Sequence, residues 1–133
     1  VTGDPSAALR AADIVCCCTT AREALFDGDL VAPGATVVAI GSHEPEAREV
    51  DERLVERSTV VVEARSAALR EAGDVIQAID CGAFDANSLA TLAELVAGEV
   101  PPPGHCPRLF KSTGMAWEDV VVASALAKRA LET

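Results

Sequence analysis

The sequence predicts an α/β fold built on an open, doubly wound parallel sheet. Three features favour it: strand-like and helix-like segments alternate, the strand-like segments are continuous apolar runs, and polar residues follow those runs. Alternating strands and helices are typical of βαβ units, and uninterrupted apolar strands are typical of sheets covered on both faces. Right-handed crossovers then give a twisted sheet whose ligands bind beyond the carboxyl ends of its strands.

The first half of the chain contains three of the predicted strands. Asp4 and Pro5 favour the start of a short helix, because Asp caps a helix and Pro is tolerated in its first turn. The dipeptide Pro33-Gly34 is a turn signal between two apolar runs. The predicted order is helix 5–12, strand 14–18, strand 36–40, a charged surface helix 46–57 and strand 59–62.

The second half contains one more predicted strand and three helices. Ser66 is expected to cap the first of these helices, and Gly73 to end it. Three prolines and Gly104 form a rigid connector, residues 101–104, which is the best candidate for a boundary. The predicted order is helix 67–72, helix 88–97, strand 108–111 and a long helix 116–131, in which Trp117 is expected to face the core.

Composition restricts the class of partner. A chain of 133 residues corresponds to about one domain, and half of its residues are hydrophobic, which allows a real core. Eleven basic against 21 acidic residues give a net charge of −10, which argues against nucleic acid or an anionic membrane as a partner. No apolar segment approaches the ~20 residues of a membrane span, and no signal peptide opens the chain. We therefore expect a soluble globular protein.

Three of the five cysteines are adjacent in a predicted strand and are expected to serve there as small buried hydrophobic residues. Cys16, Cys17 and Cys18 are adjacent, and neighbours on a strand point to opposite faces, so the three cannot converge on one metal ion. Cys81 and Cys106 have no CxxC partner. The sequence thus predicts no metal site, and free thiols favour a reducing cytoplasm.

Polar or glycine-bearing segments follow three of the predicted strands. In a parallel sheet the carboxyl ends of the strands lie along one edge, so we expect these segments to share a single ligand site. The segments are Thr19-Thr20, Gly41-Ser42-His43 and Lys111-Ser112-Thr113-Gly114.

Four longer segments carry a resemblance to a known family. They are ADIVCCCTTAREALF, LVAPGATVVAIGSHEPEAREVD, VVVEARSAALREAGDVIQAI and RLFKSTGMAWEDVVVA. In order and in spacing they resemble the ornithine cyclodeaminase/μ-crystallin family, and the last two are the most specific. The resemblance implies a Rossmann-like NAD(P)-binding domain beside a substrate and dimerisation domain. It also implies chemistry on amino or imino acids: cyclodeamination of ornithine or lysine, dehydrogenation of alanine, or reduction of cyclic imines such as pyrroline-2-carboxylate.

Relative to that family the sequence looks like part of a larger protein. The glycine-rich GxGxxG turn that binds a pyrophosphate is not found in these 133 residues. We therefore expect residues 1–104 to be the C-terminal half of the Rossmann-like domain. Residues 105–133 are expected to be its final strand and a long helix that returns toward the substrate domain. The parent protein would be a homo-oligomeric enzyme using NAD or NADP, and the isolated chain would be inactive.

The resemblance also implies roles for the residues at the strand ends. Thr19 and Thr20 correspond to positions along the ribose and phosphate side of the dinucleotide. Gly41 and Ser42 would lie beside the nicotinamide. His43 would be an acid/base group, where the cyclodeaminase branch has an Asp, and this difference favours a reductase or dehydrogenase over ornithine cyclodeamination.

At the last strand end, the resemblance places Lys111, Ser112 and Gly114 near the nicotinamide. Simpler interpretations stay open at all three strand ends, namely a turn at Thr19-Thr20, a solvated loop histidine at residue 43 and an ordinary helix cap at residues 111–114. Arg48 and Glu49 are expected on a solvated face, and Asp74 is expected to be a helix-stop residue. Two other functions remain: a non-catalytic crystallin-like binding module, and an inactive truncated fragment.

Overall fold

A computed structural model describes residues 4–131 and shows a five-stranded, wholly parallel sheet. The strands are β1 Ile14–Cys17, β2 Thr36–Ala39, β3 Thr59–Val62, β4 Ala90–Thr91 and β5 Arg108–Lys111. The helices are α1 Pro5–Ala11, α2 Glu52–Arg57, α3 Arg65–Glu71, α4 Gly73–Asp80, α5 Leu92–Val96 and α6 Ala116–Leu131. The strand order is β1-β2-β5-β3-β4. The predicted α/β class with a parallel sheet is confirmed.

One face of the sheet carries the core. Residues that pair across parallel strands point to the same face, so each row of partners shares an environment. One row is Val15, Val37, Leu109 and Val60, and the row two residues further on is Cys17, Ala39, Lys111 and Val62. These rows pack with buried residues of the covering helices, including Leu54, Val55, Ala68, Val75 and Ala78.

The predicted helix 46–57 is wrong in its first half, because only Glu52–Arg57 is helical. The carboxylate of Asp74 accepts hydrogen bonds from the amides of Glu49 and Val50, at 2.7 and 2.9 Å. These amides therefore bind a side chain rather than the carbonyl groups of a preceding helical turn. Asp51 then caps α2, because its side chain accepts from the amide of Leu54 at 3.0 Å.

Gly73 does not end a helix as predicted; α4 begins there. A Cβ atom at Gly73 would meet the carbonyl oxygens of Ala47, Glu44 and Pro45, so only glycine lets this helix start approach the loop after β2. The predicted cap Ser66 is also wrong, because it lies inside α3, whose N-cap is Ala64 without a side-chain hydrogen bond.

The predicted helix 88–97 is shorter than expected because a strand replaces its start. Residues 90 and 91 pair in parallel with Val61 and Val62. The helix then begins at Leu92 with a capping box, in which Thr91 and Glu94 bind each other's backbone amides. Strand pairing and this cap together define the boundary that the helical pattern obscured.

The last strand and the last helix differ in their surroundings. Strand β5 lies between β2 and β3, so residues beyond the predicted division at residue 104 contribute the central strand of the sheet. No side chain of α6 is buried, and Trp117 is 57% exposed, so its predicted core location is wrong. Helical periodicity showed which side of α6 is apolar, and no other described element covers that side. Among residues 4–131 no helix has the length and apolar character to cross a membrane.

The three adjacent cysteines divide between two environments. Cys17 points into the core and is buried, as predicted, whereas Cys16 and Cys18 are exposed, which corrects the expectation for both. Strand β1 is an edge strand of the described sheet, and Ile14 and Cys16 on its second face are both exposed. Burial raises the pKa of the Cys17 thiol to about 12, and the nearby carboxylates of Glu49 and Asp74 act in the same direction.

Cysteine labelling should report this arrangement. The thiolate is the reactive form, and a pKa of about 12 leaves only about one Cys17 thiol in ten thousand ionised at pH 8. Iodoacetamide at pH 8 should modify Cys16 and Cys18 in the folded chain and leave Cys17 unmodified, as read by tandem mass spectrometry. In guanidinium chloride all three should react. Equal labelling of the three in the folded state would contradict the assignment.

Candidate functional site

The carboxyl ends of β1, β2 and β5 lie side by side at one edge of the sheet. Hydrogen bonds continue the parallel pairing just past the strands, from the Ile40 amide to the Cys17 carbonyl at 3.0 Å and from the Ser112 amide to the Ala39 carbonyl at 3.1 Å. The structure thus brings together the three polar segments that the sequence singled out.

A pocket of about 140 Å³ opens between the loops after β1 and β2. Small residues leave room for a ligand, and hydroxyl, imidazole and charged side chains supply polar contacts. The pocket is lined by Thr20, Ala21, Arg22, Gly41, Ser42, His43, Glu44 and Ala47. Four of the predicted site residues are therefore in its wall. Thr19 lies next to it in sequence, whereas residues 111–114 do not line it.

The rim of the pocket is formed by charged and titratable side chains. An ion pair joins Arg22 Nη1 to Glu44 Oε2 at 3.1 Å and links the two loops, with both side chains more than half exposed. Such surface pairs contribute only about 0–1 kcal/mol, so a bound anion could compete for the guanidinium group. His43 is exposed on the same rim.

Lys111 lies beneath the pocket rather than in its wall. Its ammonium nitrogen Nζ is 2.6 Å from the carbonyl oxygen of Ser42, 2.9 Å from Ser42 Oγ and 2.9 Å from Asp74 Oδ2. The residue is 1% exposed, and these partners match its three N–H donors. Lys111 therefore holds Ser42 from the interior.

Asp74 connects this ammonium group to the loop after β2. Its Oδ2 accepts from Ser42 Oγ at 2.8 Å in addition to Lys111, and its Oδ1 accepts the two amide hydrogen bonds from residues 49 and 50. The side chain is fully buried and sits in the first turn of α4. The prediction that Asp74 is a helix-stop residue is wrong.

Glu49 is the second buried carboxylate, and its predicted place on a solvated face is wrong. It has 0% exposure. Oε1 accepts from the amide and the hydroxyl group of Thr19, at 2.6 and 2.8 Å, and Oε2 accepts from the Gly41 amide at 2.7 Å. Arg48, predicted beside it on the surface, is half-buried and pairs with Glu52 at 2.7 Å. The sequence of the charged segment 44–53 does not distinguish Glu49 from the other charged residues around it. Glu49 is buried by the path of a loop, which leaves no helical periodicity to detect.

A third carboxylate, Glu63, holds the segment after β5. Its Oε1 accepts from Ser112 Oγ at 2.6 Å, and its Oε2 accepts from the amides of Thr113 and Gly114 at 3.3 and 3.2 Å. The polar groups of Ser112 and Gly114 that the sequence proposed for a ligand are thus bound to Glu63. The described residues contain no group of three or more His, Cys, Asp or Glu side chains suited to a metal ion.

A model of the ornithine cyclodeaminase/mu-crystallin family matches residues 1–133. The chain belongs to this family. It is 38% identical to ketimine reductase mu-crystallin of Mus musculus over 118 residues, which covers 87% of this chain and 35% of that protein. It is 37% identical to Delta(1)-pyrroline-2-carboxylate reductase of Bacillus cereus over 133 residues, which covers 97% of this chain and 41% of that protein.

A solved structure of the family has the same fold. Delta(1)-pyrroline-2-carboxylate reductase of Thermococcus litoralis, in complex with NADH and L-proline, superposes with a TM-score of 0.91 at 34% identity. The match covers 98% of this chain and 42% of that protein. The chain therefore spans about two fifths of the length of the relatives it matches.

The buried ion pair can be tested by a double-mutant cycle. Lys111→Met should lower the free energy of unfolding by about 3–5 kcal/mol, because it leaves the Asp74 carboxylate buried without its cation. Adding Asp74→Asn should restore much of this loss, because the amide can still accept from residues 49 and 50 and can donate to Ser42 Oγ. Urea unfolding of both variants and of Asp74→Asn alone measures the coupling.

Lys128→Met, at an exposed position, serves as the control for this cycle. It should change the free energy of unfolding by no more than about 0.5 kcal/mol. Simple additivity of the two buried substitutions would show that the two charges do not depend on each other.

Proposed function

We propose that this chain forms the C-terminal half of the NAD(P)-binding domain of a longer oxidoreductase that acts on a small amino or cyclic imino acid. The observation that carries the proposal is the pocket at the carboxyl edge of a parallel sheet, in a fold that matches a reductase solved with NADH and L-proline. Ligands of such sheets bind at that edge. In this proposal residues 105–133 complete the sheet and lead, through α6, toward a substrate domain.

The pocket fits the nicotinamide end of such a cofactor. Ala21, Gly41 and Ala47 leave space for a flat ring, while the side chains of Thr20 and His43 can form hydrogen bonds at its edge. These 133 residues do not contain the GxGxxG turn that would bind the pyrophosphate of the cofactor. The chain alone is therefore proposed to be inactive and to bind NAD(P) weakly. When bound, NAD(P)H supplies a hydride.

The individual residues at this edge of the sheet are proposed to have different roles. His43 is proposed as the acid/base group that holds or gives a proton at an imidazole nitrogen, because histidine exchanges protons readily near neutral pH. Thr19 and Thr20 are proposed to bind the ribose and phosphate side, and Gly41 and Ser42 to contact the ring. Lys111 acts through Ser42, whose carbonyl and hydroxyl groups it binds.

At the end of β5, Ser112 and Gly114 are proposed to approach the nicotinamide from the other side. Their donors are bound to the Glu63 carboxylate. Glu63 thereby fixes the direction in which the chain leaves the sheet toward α6.

The longer protein is proposed to be a homo-oligomer in a reducing cytoplasm. All five cysteines are free thiols, which suits that compartment. Apolar side chains are exposed on the edge strand and along α6, among them Ile14, Val120 and Leu126. Surfaces of this kind are normally covered by other parts of an assembly.

Turnover by the complete protein tests the assignment. It should oxidise NADH or NADPH with pyrroline-2-carboxylate or a related cyclic imine, followed by absorbance at 340 nm. His43→Ala should lower kcat by about a hundredfold or more, the usual contribution of an acid/base group. Glu46→Gln, which alters an exposed residue of the same loop, is the matched control.

The other possible results separate the alternatives. Cofactor or ligand binding without turnover of any amino or imino acid would favour a crystallin-like binding module. Ammonia release from ornithine at a comparable rate would contradict the inference drawn from His43. No binding of NADH or NADPH by the complete protein would overturn the proposal.

The chain by itself should associate. An apolar edge strand recruits other strands, and the charge of −10 is screened beyond about 8 Å at physiological salt. Light scattering at tens of micromolar should give a mass above 13.7 kDa, and Ile14→Lys should reduce it. Ser66→Lys adds the same charge at an exposed position away from β1 and should not. A stable monomer of the unmodified chain would contradict this expectation.

A further inference from the structure

Glu49 joins the two loops that enclose the pocket. It reaches the loop after β1 through Thr19 and the loop after β2 through Gly41, and it accepts three hydrogen bonds of 2.6–2.8 Å in doing so. Each donor amide belongs to a residue just beyond the end of its strand. The carboxylate therefore spans the gap between the two walls from below.

The loops meet so closely that glycine is required at residue 41. A Cβ atom there would collide with the backbone of Thr19 and with Glu49 Oε1. Thr20, which follows Thr19, and Gly41 itself both line the pocket. A displacement of either loop relative to the other would therefore change the width of the pocket directly.

Stability alone does not account for a carboxylate at this place. Removing such a charge from water is costly, and buried charged groups are weak evidence for a stabilising role. What the buried carboxylate adds is geometry, since each of its oxygens fixes a different loop.

The position of Glu49 is itself fixed by the rest of the network. Its amide donates to Asp74 Oδ1 at 2.7 Å, and Asp74 is bound to Lys111 of the central strand. The backbone of Glu49 is thus anchored directly to α4 and, through Asp74, to β5.

We propose that Glu49 is a positioning residue that sets the spacing of the two pocket walls and thereby the affinity for the nicotinamide end of the cofactor. The inference rests on the proposed function of the pocket. Glu49 lies outside the pocket lining, so it acts through Thr19 and Gly41 and not on the reacting atoms. Its substitution should alter cofactor affinity and leave the chemical step nearly unchanged.

Glu49→Gln is the sharpest test, because it keeps the size of the side chain. Both carboxylate oxygens face N–H groups, and the amide replaces one acceptor with a donor. In the complete protein KM for NADH or NADPH should rise about tenfold or more, the scale of one lost hydrogen bond to a charged group, while kcat changes little. Glu46→Gln on the same loop is the matched control and should leave both values unchanged.

Amide hydrogen exchange in the 133-residue chain gives a readout without cofactor. In Glu49→Gln the amides of Thr19 and Gly41 should exchange faster, whereas those of Val37 and Leu109 in the core should not change. Where Glu49→Gln does not fold, Glu49→Asp provides the milder variant. Its shorter side chain keeps the charge and cannot reach both loops, and the same pattern is expected.

The outcomes are distinct. Faster exchange at both loops together with a raised KM supports the inference. Faster exchange with an unchanged KM, or a fall in kcat alone, overturns it. If the complete protein binds neither NADH nor NADPH, the proposed function fails, and the amide exchange alone then decides whether Glu49 sets the spacing of the two loops.

Discussion

The arrangement of the strand ends depends on the hydrogen bonds and the ion pair that the buried ammonium group of Lys111 forms. In the sheet Lys111 lies between Ala39 and Val62, the final residues of the neighbouring strands. Its side chain is buried, and its three N–H groups donate to Ser42 and Asp74. A buried cation without these partners would be strongly destabilising. The loop after β2 and the first turn of α4 must therefore close over the end of β5.

The remaining contacts follow from that closure in sequence. With Asp74 held by Lys111, its second oxygen takes the amides of residues 49 and 50 and prevents a helix from starting there. Glu49 is turned inward as a consequence, and its carboxylate reaches Thr19 and Gly41. One cation in the central strand thus determines, through two carboxylates, where the loops beyond β1 and β2 lie.

Predictions from sequence succeeded where a local pattern determines the structure. The apolar runs located the four longer strands, and the polar segments after them located the edge of the sheet. Strand β4 has only two residues and follows buried Leu89, so its pairing with β3 left no local pattern. Glu49 and Asp74 were misplaced for a similar reason: a charged residue among other charged residues looks solvated until its tertiary hydrogen-bond donors are known. The prediction for Trp117 was wrong in the opposite direction: it was expected to be buried and is exposed. An apolar helix face does not by itself specify what covers it.

The acidic character of the chain is therefore not only a surface property. Glu49 and Asp74 are buried, and Glu63 is half-buried. Asp74 accepts the amides of residues 49 and 50, whereas Glu49 and Glu63 each accept two amides just beyond the strand ends. Such amides lie past the last sheet hydrogen bonds and need acceptors. Because the carboxylates supply them from inside, the side chains on the outside of the edge, including those of Thr20 and His43, remain directed at the pocket. The same charges that make the chain acidic hold its candidate site in shape.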